Sequence, residues 1–174
     1  MQLTEAIQLI NSDRIVTPTA SVWADLGCGS GLFTFALAHY LPMGSRIYAV
    51  DQRNPLQPET RPNGVEIYPL QKDFVRDDLA LPALDGILLA NALHYVADKP
   101  GFLRQLGKSL KPDSRFLIVE YDTDQPVPTW VPYPVSWAAL TRLFTMAGYN
   151  SIEKLGERPS RYRTGNLYAV LISR

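Results

Sequence analysis

A short loop with three glycines constrains the fold of this chain more than any other stretch of its sequence. Residues 22–31 read VWADLGCGSG, so that an apolar run containing Asp25 leads directly into Gly27, Gly29 and Gly31. An amphipathic helix is predicted to follow over residues 32–41. Glycines let backbone N–H groups approach a ligand closely, and a helix N-terminus favours negatively charged groups. The pattern therefore predicts a strand, a tight loop and a helix that together bind a nucleotide-bearing cofactor.

The spacing of these glycines separates two classes of cofactor. The dinucleotide fingerprint G-x-G-x-x-G would need a glycine at the position of Leu32, and here the third glycine is Gly31. An acidic residue such as Asp25 ahead of G-x-G-x-G resembles the first motif of the class I S-adenosylmethionine-dependent methyltransferases. A nicotinamide-dependent oxidoreductase and a strand-to-helix turn without a ligand remain as alternatives. We expect Cys28, within the loop, to be a small packing residue and not a nucleophile.

Further apolar runs place polar residues where a cofactor of this kind would need them. The run at 47–50 ends in Asp51, twenty residues after Gly31, and is followed by Gln52. A carboxylate at the end of the second strand of a βαβ unit can bind the two ribose hydroxyls, in dinucleotide and adenosylmethionine sites alike. The resemblance further implies that Asp73 and Phe74, after the run at 65–70, bind and cover the adenine.

The fourth and fifth runs extend the resemblance over most of the chain. Residues 84–90 lead into Asn91, which the resemblance places beneath the methionine part of the cofactor. Residues 110–115 and the run at 116–120 resemble the loop into the fifth strand of the family. The cofactor-binding residues expected from these motifs are Asp25, Gly27, Cys28, Gly29, Gly31, Asp51, Gln52, Asp73, Phe74 and Asn91.

The order of the predicted elements indicates an α/β fold. Strands are expected near 22–26, 46–50, 65–69, 85–90 and 115–121, with helices over 3–10, 32–41, 99–110 and 137–147. Two further strands, 151–155 and 166–172, resemble the antiparallel pair that closes the family's sheet. We therefore expect a doubly wound, mostly parallel seven-stranded Rossmann-like sheet with helices on both faces. Its ligand would bind at the carboxyl ends of the strands.

Length and composition favour one cytoplasmic domain. The 174 residues are enough for a substantial core, and 46% are hydrophobic. We expect a single domain over 1–174, in which residues 1–20 form a short N-terminal helix or lid. No apolar run reaches the roughly 18 residues that span a bilayer, and no secretory signal is recognisable. One cysteine fits a reducing compartment, and 17 basic residues balance 17 acidic ones, which argues against nucleic acid as a partner.

The acceptor side of the site is less well defined by sequence. His94 follows the fourth strand and is the candidate general base, with packing on a helix as the alternative. Residues 122–134 carry four prolines and should form a stiff, extended loop over the acceptor. Tyr95 and the aromatic residues of this region, Tyr121, Trp130 and Tyr133, could wall the acceptor pocket, or Trp130 and Tyr133 could simply pin the loop to the body of the protein.

Some acceptor classes are disfavoured. Cytosine C5 methylation needs a cysteine at the base and arsenic methylation would use several thiols, but the single cysteine of this chain lies in the glycine loop. Methylation of exocyclic amino groups is disfavoured as well, because Ala92 and Leu93 stand where the motif of those enzymes has two prolines. Arg158, Arg161 and Arg163 could bind an anion or form a solvated loop. The sequence thus predicts methyl transfer from S-adenosylmethionine to a small molecule, without a metal. The alternative is a non-catalytic cofactor-binding subunit, and a homodimer or partner protein could complete the site.

Overall fold

The apolar runs of the sequence form the strands of one mixed sheet in the computed structural model, which describes residues 1–53, 56–159 and 165–174. The strands are β1 (Val22–Leu26), β2 (Arg46–Asp51), β3 (Glu59–Thr60), β4 (Glu66–Gln71), β5 (Leu84–Ala90), β6 (Leu110–Tyr121), β7 (Ser151–Pro159) and β8 (Asn166–Ser173). The helices are α1 (Leu3–Leu9), α2 (Leu32–Tyr40), α3 (Lys99–Leu106) and α4 (Trp137–Met146). Two 3₁₀ turns, Leu93–Tyr95 and Gly107–Ser109, flank α3.

The order of the strands across the sheet is β3-β4-β2-β1-β5-β6-β8-β7. The five strands from β4 to β6 run parallel, and β8 lies antiparallel between β6 and β7. The predicted α/β class and the antiparallel C-terminal pair are therefore confirmed. The predicted number of seven strands is wrong, because β3 pairs antiparallel with β4 as an eighth. Two residues are too few to show the alternation by which a strand is recognised in sequence.

Helices cover both faces of the sheet. On one face, α1 and α2 bury Leu9 and Leu37 in one cluster with Trp23 of the central strand β1. On the other face, α3 and α4 bury Phe102 and Phe144 against the same sheet. Burial on both sides explains why the central strands are almost continuously apolar instead of alternating.

The two connections on the β4 side of the sheet contain no helix in their described residues. After β4 the chain continues through turns and extended segments to β5. As a result, Tyr48 and Tyr68 stack on a sparsely covered face with ring centroids 5.5 Å apart, and 37% of the Tyr68 surface is exposed. The turn after β4, which carries Asp73 and Phe74, is therefore free to form one wall of a cleft at the top of the sheet.

Helix α1 packs against α2 and β7 on one face of the sheet. The Tyr40 hydroxyl donates to the Ile7 carbonyl at 2.8 Å, and Glu5 accepts from Arg158 at 2.8 Å. Arg158, considered in the sequence as an anion ligand, is thus held by a carboxylate, while Arg161 and Arg163 lie outside the described residues. A lid function of residues 1–20 stays a prediction. None of the helices in the described ranges is long and apolar enough to cross a membrane.

Candidate functional site

The glycine loop joins β1 to α2 and is fixed to the end of β2. The N–H groups of Gly27 and Cys28 donate to the Val50 carbonyl at 2.8 and 3.1 Å. Gly27 has a φ of +81°, a left-handed conformation that side chains rarely adopt. A Cβ atom at Gly27 would lie 2.7 Å from the Ala92 Cβ and 3.2 Å from the Phe74 ring. A side chain at this position would therefore push the loop away from two walls of the site.

We expect Gly27→Ala to destabilise the protein by about 2–4 kcal/mol, because left-handed strain of about 1–2 kcal/mol adds to a contact that the backbone must relieve. Urea denaturation measures the change. Gly107→Ala is the matched control, since Gly107 has a φ of −55° and an added Cβ would meet nothing within 4 Å. An equal effect of the two substitutions would contradict the assignment of a special role to Gly27.

A cleft of about 570 Å³ opens at the carboxyl ends of β1, β2, β4 and β5. Parallel strands deliver the residues that follow them to the same edge of the sheet, and ligands bind there in folds of this type. Six of the residues predicted to bind the cofactor line this cleft: Gly27, Asp51, Gln52, Asp73, Phe74 and Asn91. Cys28, Gly29 and Gly31 lie in the adjoining loop, and Asp25 lies in β1. The sequence did not single out Arg53, Val75, Arg76 and Ala92, which complete the walls together with Tyr95.

The two carboxylates on the wall of this cleft are held by backbone donors. Asp51 accepts from the Gly29 N–H through one oxygen and from the Arg53 N–H through the other, both at 2.9 Å. Asp73 accepts from the Val75 N–H at 2.9 Å, in a turn that places Phe74 beside the cleft. Asp51 is therefore oriented by the glycine loop and by its own turn, and Asp73 by its own turn, before any ligand binds.

Two buried oxygen atoms at the base of the site have no hydrogen-bond partner within the described part of the chain. One is Oδ1 of Asp25, whose other oxygen accepts from the Thr34 hydroxyl at 2.6 Å. The second is Oδ1 of Asn91, a residue held at a φ of +53°. Buried polar atoms are nearly always paired in folded proteins, so these two free acceptors indicate a ligand that donates.

Burial raises the pKa of Asp25 to about 7, although the hydrogen bond from Thr34 lowers it and the charge of Asp51 raises it further. A positively charged donor would offset the cost of keeping this carboxylate ionised. S-adenosylmethionine carries an ammonium group and a sulfonium, so the residues present fit this cofactor.

Cys28 is a packing residue in the structure. Its side chain is buried beside Ala49 and Ile67. Burial raises the pKa of the thiol, with Asp25 and Asp51 adding to the effect, so the reactive thiolate is disfavoured.

A second cleft, of about 460 Å³, adjoins the first and shares Asn91 and Tyr95 with it. Its other walls are His94, Tyr121, Val127, Trp130 and Val131. Three of the aromatic residues predicted on the acceptor side therefore come together here. Tyr133 is not among the lining residues, and instead its N–H group donates to the His94 carbonyl at 3.0 Å.

The loop at 122–134 forms this second cleft by folding back on itself. Val127 and Val131 pair in an antiparallel bridge, with N···O distances of 3.0 and 2.8 Å. Trp130, at the tip between them, is 72% exposed. The sequence missed the two valines because a two-residue bridge between prolines leaves no periodic pattern.

His94 is paired with a carboxylate that sequence reasoning did not identify. Its Nδ1 atom lies 2.8 Å from Oε2 of Glu120, and its backbone N–H donates to Oε1 of the same side chain at 3.1 Å. Both side chains are almost fully buried, with 3% and 1% of their surfaces exposed. A charged residue at the end of the apolar strand β6 was the signal available in the sequence. With Nδ1 engaged, Nε2 is the ring nitrogen left for a ligand in the second cleft.

The strand order, the glycine loop and the carboxylates at the strand ends define a class I Rossmann-like methyltransferase. A family model described as "Methyltransferase domain" matches residues 24–116, more than half of the chain. The chain therefore belongs to the methyltransferase domain family, and it is an S-adenosylmethionine-dependent methyltransferase. The family match favours this reading over the nicotinamide-dependent oxidoreductase. Among curated proteins, no sequence matches this chain.

Solved structures share the fold at low sequence identity. The 1,6-didemethyltoxoflavin-N1-methyltransferase of Burkholderia thailandensis, with 1,6-didemethyltoxoflavin and S-adenosylhomocysteine bound, is 18% identical, with a TM-score of 0.72 over 99% of this chain and 77% of that one. The plantazolicin methyltransferase BpumL, in complex with S-adenosylhomocysteine, is 15% identical, with a TM-score of 0.65 over 99% and 83%. The magnesium protoporphyrin IX methyltransferase of Synechocystis, with bound S-adenosylmethionine, is 14% identical, with a TM-score of 0.64 over 99% and 77%.

Proposed function

We propose that this protein methylates an O–H or N–H group of a planar, uncharged small molecule bound in the second cleft. The observation that carries the proposal is that His94, paired with the buried Glu120, lines an aromatic cleft that adjoins the cofactor cleft. Methyl transfer needs donor and acceptor in line and water excluded, and two clefts that share Asn91 and Tyr95 support that arrangement.

The residues of the first cleft have separate tasks in this proposal. Asp25 and Asn91 would accept from the methionine end of the cofactor, since each has a free buried oxygen. Asp51 would accept from the ribose hydroxyls. Asp73 and Phe74 would hold the adenine. When bound, S-adenosylmethionine supplies an electrophilic methyl group, whose bond to sulfur breaks as its bond to the acceptor forms.

His94 would act as general base toward the acceptor. Its Nε2 atom takes the proton that the acceptor O–H or N–H group loses, and the lone pair left behind attacks the methyl carbon. Glu120 fixes the ring through Nδ1 and stabilises the positive charge that the imidazole gains. The His94–Glu120 pair therefore favours acceptors that become nucleophilic only on losing a proton.

The lining of the second cleft narrows the class of acceptor. Tyr95, Tyr121 and Trp130 offer aromatic surfaces, and Val127 and Val131 add aliphatic ones. Lysine and arginine are absent from the lining residues in the described part of the chain, which disfavours an anionic acceptor. Among the similar structures, the 1,6-didemethyltoxoflavin-N1-methyltransferase contains a small molecule, 1,6-didemethyltoxoflavin, together with S-adenosylhomocysteine.

The direct test is turnover with a panel of phenols, hydroxyquinolines and N-heterocycles, followed by release of S-adenosylhomocysteine. Release with uncharged planar members, and little with carboxylated analogues of the same rings, is expected. Binding of S-adenosylmethionine without release on any member would favour the non-catalytic cofactor-binding subunit instead.

We expect Asp51→Ala to weaken binding of S-adenosylmethionine by about 1–3 kcal/mol, through loss of charge-assisted hydrogen bonds to the ribose. Calorimetric titration of the folded variant measures the change. Asp113→Ala is a suitable control, because Asp113 is an exposed carboxylate near the start of β6, away from the carboxyl ends of the strands, and lines neither cleft. Unchanged affinity of the Asp51 variant would remove this residue from the site.

A further inference from the structure

The loop that forms a wall of the second cleft is attached to the turn that carries His94 by two groups, the side chain of Lys99 and the backbone of Tyr133. The ammonium of Lys99 donates to the Val96 carbonyl at 2.9 Å and to the Tyr133 carbonyl at 2.8 Å. The N–H group of the same tyrosine donates to the His94 carbonyl at 3.0 Å. Lys99 therefore connects the loop at 122–134 to the segment that follows the His94 turn.

The surroundings of Lys99 show that its charge serves these carbonyls. Among the described residues it forms no ion pair, and its ammonium lies 5.8 Å from the centre of the Tyr133 ring. Partial burial lowers the pKa of the lysine, and the charge of Glu120 partly compensates. The contacts that stabilise this half-buried cation are therefore the Val96 carbonyl and the carbonyl and ring of Tyr133, so its charge links these two chain segments.

The position of Lys99 on its helix supports a role outside that helix. It is the first residue of α3, directly after the N-cap Asp98, which accepts from the Gly101 N–H. A positive charge at a helix N-terminus is unfavourable because it faces the positive end of the helix dipole. The helix dipole thus disfavours a lysine at this position, and the two carbonyl contacts explain why a lysine is nevertheless found there.

We propose that Lys99 is a positioning residue for the acceptor cleft, which holds the hairpin of Val127, Trp130 and Val131 against the His94 turn. The proposal rests on the function proposed above for the second cleft. Without the lysine, the loop would keep the Tyr133 N–H bond, the buried Val131 side chain and the contacts of Asp122. The Asp122 carboxylate accepts from the Trp137 N–H at 2.9 Å, and its N–H donates to the Asn166 carbonyl at 2.8 Å. The walls of the cleft would then open more often, and binding of the acceptor would be weakened by the entropy lost when they become ordered.

The variants are Lys99→Met, which keeps the aliphatic stem without the charge, and Lys99→Arg, which keeps a cation that can donate to both carbonyls. Lys108→Met is the matched control, because Lys108 is an exposed lysine just after α3 and lines neither cleft. If Lys99→Met does not fold, Lys99→Gln replaces it in every measurement.

Amide hydrogen exchange measures the opening of the loop at 122–134 and needs no acceptor. The N–H groups of Val127, Val131 and Tyr133 are all hydrogen-bonded, so their protection reports loop opening. In Lys99→Met we expect these amides to exchange about tenfold faster, with recovery in Lys99→Arg and no change in the control. S-adenosylhomocysteine should bind all variants equally, because Lys99 is not among the residues lining the cofactor cleft.

With an acceptor identified by the panel, Lys99→Met should raise its KM about tenfold and change kcat less, again with recovery in the arginine variant. Unchanged amide protection at Val127 and Val131 in Lys99→Met would overturn the proposal, and so would an equal loss in Lys99→Arg. The exchange result stands even where no acceptor is turned over, so failure of the lysine role and failure of the proposed function are distinguishable.

Discussion

His94→Asn is expected to lower kcat by about 10²–10³-fold, because asparagine cannot accept the proton that the acceptor loses. The affinity for S-adenosylhomocysteine should not change, since His94 lines the acceptor cleft and not the cofactor cleft. Steady-state turnover with an acceptor from the panel, together with calorimetric titration of the cofactor product, measures the two quantities separately.

The companion substitution Glu120→Gln keeps the shape of the buried partner and removes its charge. We expect a loss of about 10²–10⁴-fold, because glutamine has one amide oxygen for the two His94 N–H groups that Glu120 accepts. The ring tautomer is then no longer fixed, and the positive charge of the imidazole is no longer stabilised. His39→Asn is the control, as His39 is the other histidine of the chain and is exposed on α2. Full activity of His94→Asn with a hydroxylated acceptor would exclude the general-base role and leave His94 as a packing residue.

Asp25→Asn is expected to be more favourable for the stability of the free protein at pH 8 than at pH 5. The quantity compared is the free energy of unfolding of the variant minus that of the wild type at the same pH. The pKa of Asp25 is raised from 3.8 to about 7, so the folded state binds this proton more tightly than the unfolded state. The wild type therefore loses stability as the pH rises from about 4 to about 7, and the asparagine variant lacks this loss. Between pH 5 and pH 8 the stability difference should change by about 3 kcal/mol in favour of the variant.

Urea denaturation of both proteins at the two pH values measures this change, and the difference between them removes the titration of all other groups. A stability difference that does not depend on pH would contradict the raised pKa. The same variant should bind S-adenosylmethionine more weakly, because the charge that destabilises the free protein is the one that attracts the cationic cofactor. We therefore expect wild-type binding to tighten as the pH rises through about 7.

The cofactor cleft could be predicted to a large extent from local patterns. Asp51, Asp73 and Asn91 each follow an apolar run, and parallel strands deliver such residues to one edge of the sheet whatever the exact strand order. Gly27 could be recognised because a left-handed loop selects glycine within a few residues. The bounds of most strands and helices agree with the expected ones to within a few residues for the same reason.

The acceptor cleft depended on contacts between distant parts of the chain. Glu120 meets His94 across 26 residues because β5 and β6 become neighbours, and Lys99 meets Tyr133 across 34 residues because the loop at 122–134 turns back toward α3. No local pattern marks such pairs, since each partner alone reads as an ordinary polar residue. The same holds for Tyr133, whose aromatic character predicted a place in the cleft wall but whose backbone contacts hold it outside the lining.

The sequence by itself determined the order of the longer strands along the chain, the glycine loop, and the position of the carboxylates that we propose bind the cofactor. Those features arise from side-chain periodicity and backbone conformation within about ten residues. The tertiary structure alone decided the short eighth strand, the His94–Glu120 pair and the attachment of the acceptor loop through Lys99. These features depend on which segments become neighbours in the folded sheet, and the packing of the whole chain determines those neighbours.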